Sequence, residues 1–232
     1  MQPSLSVNDT KKHIIMTALK LFAENGIASV SMRNVNREVG AKNNSAAHYH
    51  FGDKDGLIES ILLFVQEWFE NSREEDLKQL EIRAASEHVT IREIMEVWAA
   101  PYLKVIQTEA WGFDAVRFLA RIQLEQDSSS QDLHGRIAEK VLKRLKTMVL
   151  RSMPDQPEAV LVQRLSYCIY AFVQGLAVSG HIVNSHQSSP AGSLEAITRI
   201  SLDFCIGGMQ AENTIPVDSK DYQVLTDLHL LF

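Results

Sequence analysis

Apolar residues recur every three or four positions through nearly the whole of this 232-residue chain, and no run of alternating, β-branched residues interrupts them. That period matches the 3.6-residue turn of a helix, whose apolar stripe must be buried against a partner; a half-buried strand needs a period of two. The fold class that follows is all-α. Ile14, Ile15, Ala18, Leu19, Phe22 and Ala23 form one stripe, which predicts a first helix from Asp9 or Thr10 to Asn25, ended by Gly26 in a left-handed C′ role. Ser31 is placed to cap a short second helix that turns Met32, Val35 and Val39 inward and stops at Gly40. A third short helix is expected over about Asn44 to His50. Asp53 then caps a long fourth one, with Leu57, Ile58, Ile61, Leu62, Val65, Trp68 and Phe69 as its stripe. Further helices are expected near 90–107, 112–125, 131–151, 157–184 and 193–210. The breaks are Pro101, Asp127 to Ser130, Pro154 to Pro157, and Ser185 to Ser193. Beyond Pro216 the chain ends on Leu225, Leu228, Leu230, Leu231 and Phe232, expected as a packed arm or a loose tail.

Charge is unevenly placed. Residues 1–54 carry seven Lys or Arg against four acids, a net of +3, whereas the rest carries 16 basic and 25 acidic residues. A small basic unit on an acidic body suits a protein that touches phosphate with one end only. No stretch of about 18 uninterrupted apolar residues is present, so no membrane partner is expected, and the start lacks the pattern of a secretory signal, which places the protein in the cytoplasm. Cys168 and Cys205 lie in apolar helical patterns as buried thiols rather than as a disulfide. His13, His48 and His50 lack the spacing of a metal site, and neither a nucleophile elbow nor a phosphate-cradling glycine loop is present; no cofactor and no enzymatic activity are expected.

Two short helices joined at Gly40 and braced by a longer one follow the helix-turn-helix plan, in which the second short helix enters the major groove. Lys42, Asn43, Asn44 and Ser45 open that helix, and His48, Tyr49 and His50 follow a turn later. All can donate hydrogen bonds and none is a large aliphatic, while Ala46 and Ala47 allow close approach to DNA. Lys54, in the first turn of the fourth helix, opposes that helix's dipole unless a phosphate lies there. The DNA-contacting set expected is Ser31, Arg33, Lys42, Asn43, Asn44, Ser45, His48, Tyr49, His50 and Lys54.

The stretch LFAENGIASVSMRNVNREVG, followed by NNSAAHYHFGDKDGLI, resembles the N-terminal module of TetR-type transcription regulators. The resemblance implies phosphate contacts for Tyr49, His50 and Lys54 and a structural role for Phe51. The segment from Gly40 to Phe51 is one residue longer than the commonest form of the motif, so either Lys42 or Asn43 meets the DNA. The resemblance further implies a helix-turn-helix unit over 1–54, an effector-binding and dimerisation unit over 55–210, and an arm over 211–232. The function it implies is that of a repressor held on a palindromic double-stranded operator and released by a small organic effector; the alternative is a helical protein-interaction module.

The body offers two sets of candidates. Trp98, Tyr102, Trp111, Phe113, Phe118, Tyr167 and Tyr170 are rings suited to an effector pocket, and Arg117 and Arg121, four apart, can clamp a carboxylate. The helices over 157–184 and 193–210 are apolar over more than one stripe, which predicts a four-helix homodimer interface using Leu165, Ile169, Phe172, Leu176, Ile197, Ile200 and Phe204, with Gly175 and Gly180 permitting close approach.

Overall fold

The computed structural model describes residues 7–40, 46–125, 128–185 and 190–227 and is helical throughout. Lys42, Asn43, Asn44 and Ser45 lie outside the described residues, as do Leu228, Leu230, Leu231 and Phe232. The elements are α1 (Val7–Asn25), α2 (Met32–Glu38), α3 (Ala46–Phe51), α4 (Lys54–Ser86), α5 (Ile91–Thr108), α6 (Gly112–Ile122), α7 (Ser128–Ser152), α8 (Glu158–Ser185), α9 (Pro190–Gln210) and α10 (Lys220–Asp227).

Local chemistry sets most of these limits. Ser31 and Asn34 form a reciprocal capping box at the start of α2, and Thr90 and Glu93 form another at the start of α5. The Glu93 carboxyl, held by the Thr90 backbone amide, by Arg83 and by the Thr90 hydroxyl, is pulled down to about 2. Asp53 accepts the Gly56 N–H at 2.9 Å and caps α4. A Cβ at Gly56 would stand 2.2 Å from the Phe51 carbonyl oxygen, so the sharp α3–α4 corner needs glycine there. Pro101 does not break its helix, contrary to the sequence expectation. It is buried inside a continuous α5, where the packing around it outweighs the backbone hydrogen bond that proline cannot donate.

Helix α4, about 50 Å long at 1.5 Å per residue, belongs to both halves of the molecule. Its first turns bury Leu57, Ile58 and Ile61 beneath α1 and α3, and its later turns bury Phe69, Leu77 and Leu80 against α5 and α7. Arg144 of α7 fastens it there, donating to Glu74 at 2.7 Å and to both oxygens of Glu81 at 2.7 and 2.8 Å. Helix α5 forms the middle of the body, in contact with α4, α6, α7 and α9. Phe69, Trp98, Tyr102 and Phe172 meet in an aromatic cluster with ring centroids 4.7 to 5.7 Å apart. Helix α8 is long and apolar enough over Glu158–Gly180 to cross a membrane, which the interspersed polar residues conceal in the sequence; in the structure 56% of it is buried among α6, α7, α9 and α10.

Candidate functional site

The α1–α3 unit is organised from inside. Phe22, Ile27, Val35, Ala47, Phe51 and Leu57 form its core, and Gly26 and Gly40 take φ values of +86° and +67° at the ends of α1 and α2. Asn36 is 1% exposed, and its Oδ1 accepts the N–H of Ala47 at 2.9 Å. Amides in the first turn of a helix have no intrahelical acceptor, so Asn36 caps α3 from α2 and fixes the angle between them. Sequence reasoning passed over Asn36; the available signal was an amide side chain beside Val35 on the inward face of a short helix.

The outer surface of this unit carries the expected polar groups. Tyr49 is 84% exposed and stands edge-on to His50, with ring centroids 5.1 Å apart. Arg33 is exposed on α2. Lys54 opens α4 with its ammonium 5.9 Å above the Phe22 ring, and Lys11 lies 5.7 Å above Phe51. Ser31 and His48 have local partners: the Ser31 hydroxyl serves the α2 capping box, and His48 Nδ1 contacts the Gly52 carbonyl. The unit therefore carries an exposed aromatic ring together with Arg33, Lys11 and Lys54, a set suited to a polyanion.

The nine residues expected around an effector do not share one site. Trp98 and Tyr102 belong to the central aromatic cluster. Trp111 meets Phe64 at 5.0 Å and Trp68 at 6.1 Å on the outer side of α4. Phe118 is enclosed and stacks on Phe22, joining α6 to α1. Phe113 faces Arg117, Tyr170 is half-buried, and Tyr167 is exposed on α8. Arg117 and Arg121 line an open cleft of about 480 Å³ between α1, α6 and α8. Arg121 is engaged there, donating from Nε to the Ala23 carbonyl at 2.9 Å and from Nη2 to the Glu24 carbonyl at 3.2 Å. Near this joint, burial and the Glu24 charge raise the Asp114 carboxyl above its ordinary value.

A second, smaller cavity of about 30 Å³ lies in the body between α4, α5, α6, α7 and α8. It is lined by Trp98 and Tyr102, and also by Gln66, Arg73 and Gln123, which the sequence reading did not single out. Arg73 carried a signal, since it occupies the position in the series 65, 69, 73, 77 where the other three are Val, Phe and Leu.

The proposed dimer residues divide. Leu165, Ile169, Phe172 and Leu176 are buried inside the protomer and so are not a surface that a second copy can meet. Ile197 is half-buried, whereas Ile200 and Phe204 are exposed on α9, Phe204 at 72%, with Tyr167 and Val178 exposed on α8. Gly175 faces Ser201 of α9, and Gly180 faces Arg117 and Phe113 of α6, so both glycines serve contacts within the chain.

Two family profiles match the chain: "Bacterial regulatory proteins, tetR family" over residues 14–61 and "Tetracyclin repressor-like, C-terminal domain" over 96–208. Among solved structures, the fold is similar to a TetR family regulator, PfmR of Thermus thermophilus, with TM-score 0.55 and 14% identity, covering 90% of this chain and 100% of that one. It is also similar to a putative transcriptional regulator of Saccharomonospora viridis solved in complex with choline, with TM-score 0.53 and 17% identity, covering 85% of this chain and 95% of that one. No curated protein matches by sequence. With both halves matched in order and α1–α3 built as a helix-turn-helix unit, the chain belongs to the TetR family of DNA-binding, ligand-responsive bacterial transcription regulators.

Proposed function

We propose that the protein is a homodimeric repressor that holds a palindromic operator in the cytoplasm and leaves it when a small organic effector enters the body. The observation that carries this reading is the α3–α4 corner. Tyr49 stands almost fully exposed near the end of α3, whose angle Asn36 holds, and Lys54 opens the next helix, so α3 can lie in a major groove with its flanks against phosphate. The contacting set comprises Arg33, Tyr49, His50 and Lys54, together with Lys42, Asn43, Asn44 and Ser45. Residues 1–54 act as reader and 55–210 as effector-binding and dimerisation body, followed by the arm.

Two copies associate through the exposed α8 and α9 face, where Tyr167, Val178, Ile200 and Phe204 would otherwise stand in water. Movement in the body reaches the reader through α6, because Arg121 grips the end of α1 and Phe118 stacks on Phe22. The effector must favour a spacing of the two α3 helices that the operator does not fit, since a ligand with equal affinity for both states shifts nothing.

Selection of bound duplexes from a random pool with the purified protein tests this reading. The expected product is a palindrome whose half-site centres lie about 34 to 36 Å apart, with affinity falling steeply as salt rises. Enrichment of no sequence, or tight binding by a monomer, overturns it.

A further inference from the structure

We infer that the smaller cavity is a receptor for the carboxylate of a small apolar acid, with the Arg73 guanidinium and the Gln66 amide as its donors. This deepens the effector reading above and rests on it.

Arg73 is 3% exposed and sits among apolar groups, its guanidinium 5.6 Å above the Phe69 ring. Its Nε donates to the Phe69 carbonyl at 3.2 Å, but Nη1 has no hydrogen-bond partner, and neither has the nearby Gln66 Nε2. Among the described residues no carboxylate forms an ion pair with it. Glu70 acts only at longer range, and Arg144, whose charge opposes that of Arg73, is itself neutralised by Glu74 and Glu81. Burial is the largest influence on the Arg73 group and disfavours its charge. Buried charges in proteins are normally paired, and buried donors normally bonded. What the cavity lacks is an anion.

The remaining lining narrows the class. Tyr102 adds a buried hydroxyl, while Trp98 and Ile169 present apolar walls. A planar carboxylate matches the fork of an arginine, and an apolar body suits the walls. A second cation is repelled by Arg73. The free volume, about 30 Å³, is far below the few hundred Å³ of a pocket that takes a whole ligand. It admits the head group alone, so the body of the acid enters only when the surrounding side chains part. A ligand that fits only an expanded form has the differential affinity that a switch requires. Helix α4 carries Arg73 and, about 28 Å away along its axis at 1.5 Å per residue, Lys54 of the reader.

The test uses the full-length protein and titration calorimetry with benzoate, phenylacetate and octanoate, the neutral amide of each, and choline. Operator binding is measured in the same samples. At least one of the three acids is expected to bind and to release DNA, with its amide at least ten-fold weaker and choline without effect. Arg73→Met is expected to weaken that acid at least ten-fold without lowering the melting temperature, because it removes an unpaired buried charge; Gln66→Leu, which leaves the arginine in place, is expected to weaken it less. Binding by none of the three acids, equal binding of acid and amide, or undiminished binding to both variants overturns the inference. Operator binding without acid binding sinks this inference and leaves the repressor reading intact; acid binding without operator binding does the reverse.

Discussion

Replacing Asn36 tests how the reading helix is held. Its Oδ1 takes the Ala47 N–H at 2.9 Å in a place where both residues are shielded from water. Ala47 is the second residue of α3, so no carbonyl of its own helix can accept that hydrogen. In Asn36→Leu the volume is kept and the acceptor is lost, which leaves a buried amide unsatisfied at a cost of about 1 to 3 kcal/mol. That is about a 5- to 150-fold change in the opening equilibrium of the reader. Urea unfolding reports the total, and hydrogen exchange at the Ala47 amide reports the site. Exchange there should rise together with the fall in stability, and operator affinity should drop because α3 no longer has one angle to α2. If Asn36→Leu stays within about 0.5 kcal/mol of the parent, as surface changes do, and the Ala47 amide remains protected, then the capping role is wrong.

Arg121→Met removes two charge-assisted hydrogen bonds to the end of α1 but keeps the stem; because Arg121 is exposed, a loss of about 1 kcal/mol is expected, with faster amide exchange in the last turn of α1. Unchanged exchange in that turn would show that α6 does not grip α1 through this side chain. Asp114 is raised above its ordinary 3.8 first by burial and then by Glu24, so the folded protein binds this proton more readily than the unfolded chain. Stability should therefore fall as pH rises through the window above 3.8, and Asp114→Asn should flatten that slope in urea midpoints; an identical slope in the variant refutes the assignment. Phe204→Glu places a charge on the exposed α9 face and should convert dimer to monomer in sedimentation, with operator affinity lost alongside; a dimer that persists means the copies meet elsewhere.

Much of this fold is written locally. Gly26, Ser31, Gly40 and Asp53 act within a few residues of themselves, so the limits of α1, α2 and the start of α4 follow from sequence, and the exposed Tyr49 was legible as a polar aromatic on a helix without a large aliphatic residue. The effector and dimer residues were not legible in the same way. Helix α8 is apolar on most of its circumference, and periodicity alone does not say which side meets α9 and α6 and which is left over. Hence Leu165 and Phe172 turned out to be core, while Tyr167 and Val178 remain on the surface. Likewise the rings from Trp98 to Tyr170 share a composition but not a location, because each was placed by the helix it packs against.

Arg73 shows the limit most clearly. The sequence determined that a cation interrupts the α4 stripe; only the approach of α5, α6, α7 and α8 decided that, among the described residues, no carboxylate pairs with it. Helix periodicity and capping depend on neighbours along the chain, which a sequence states outright. Burial, charge pairing and cavities depend on neighbours in space, and those exist only once the helices have packed.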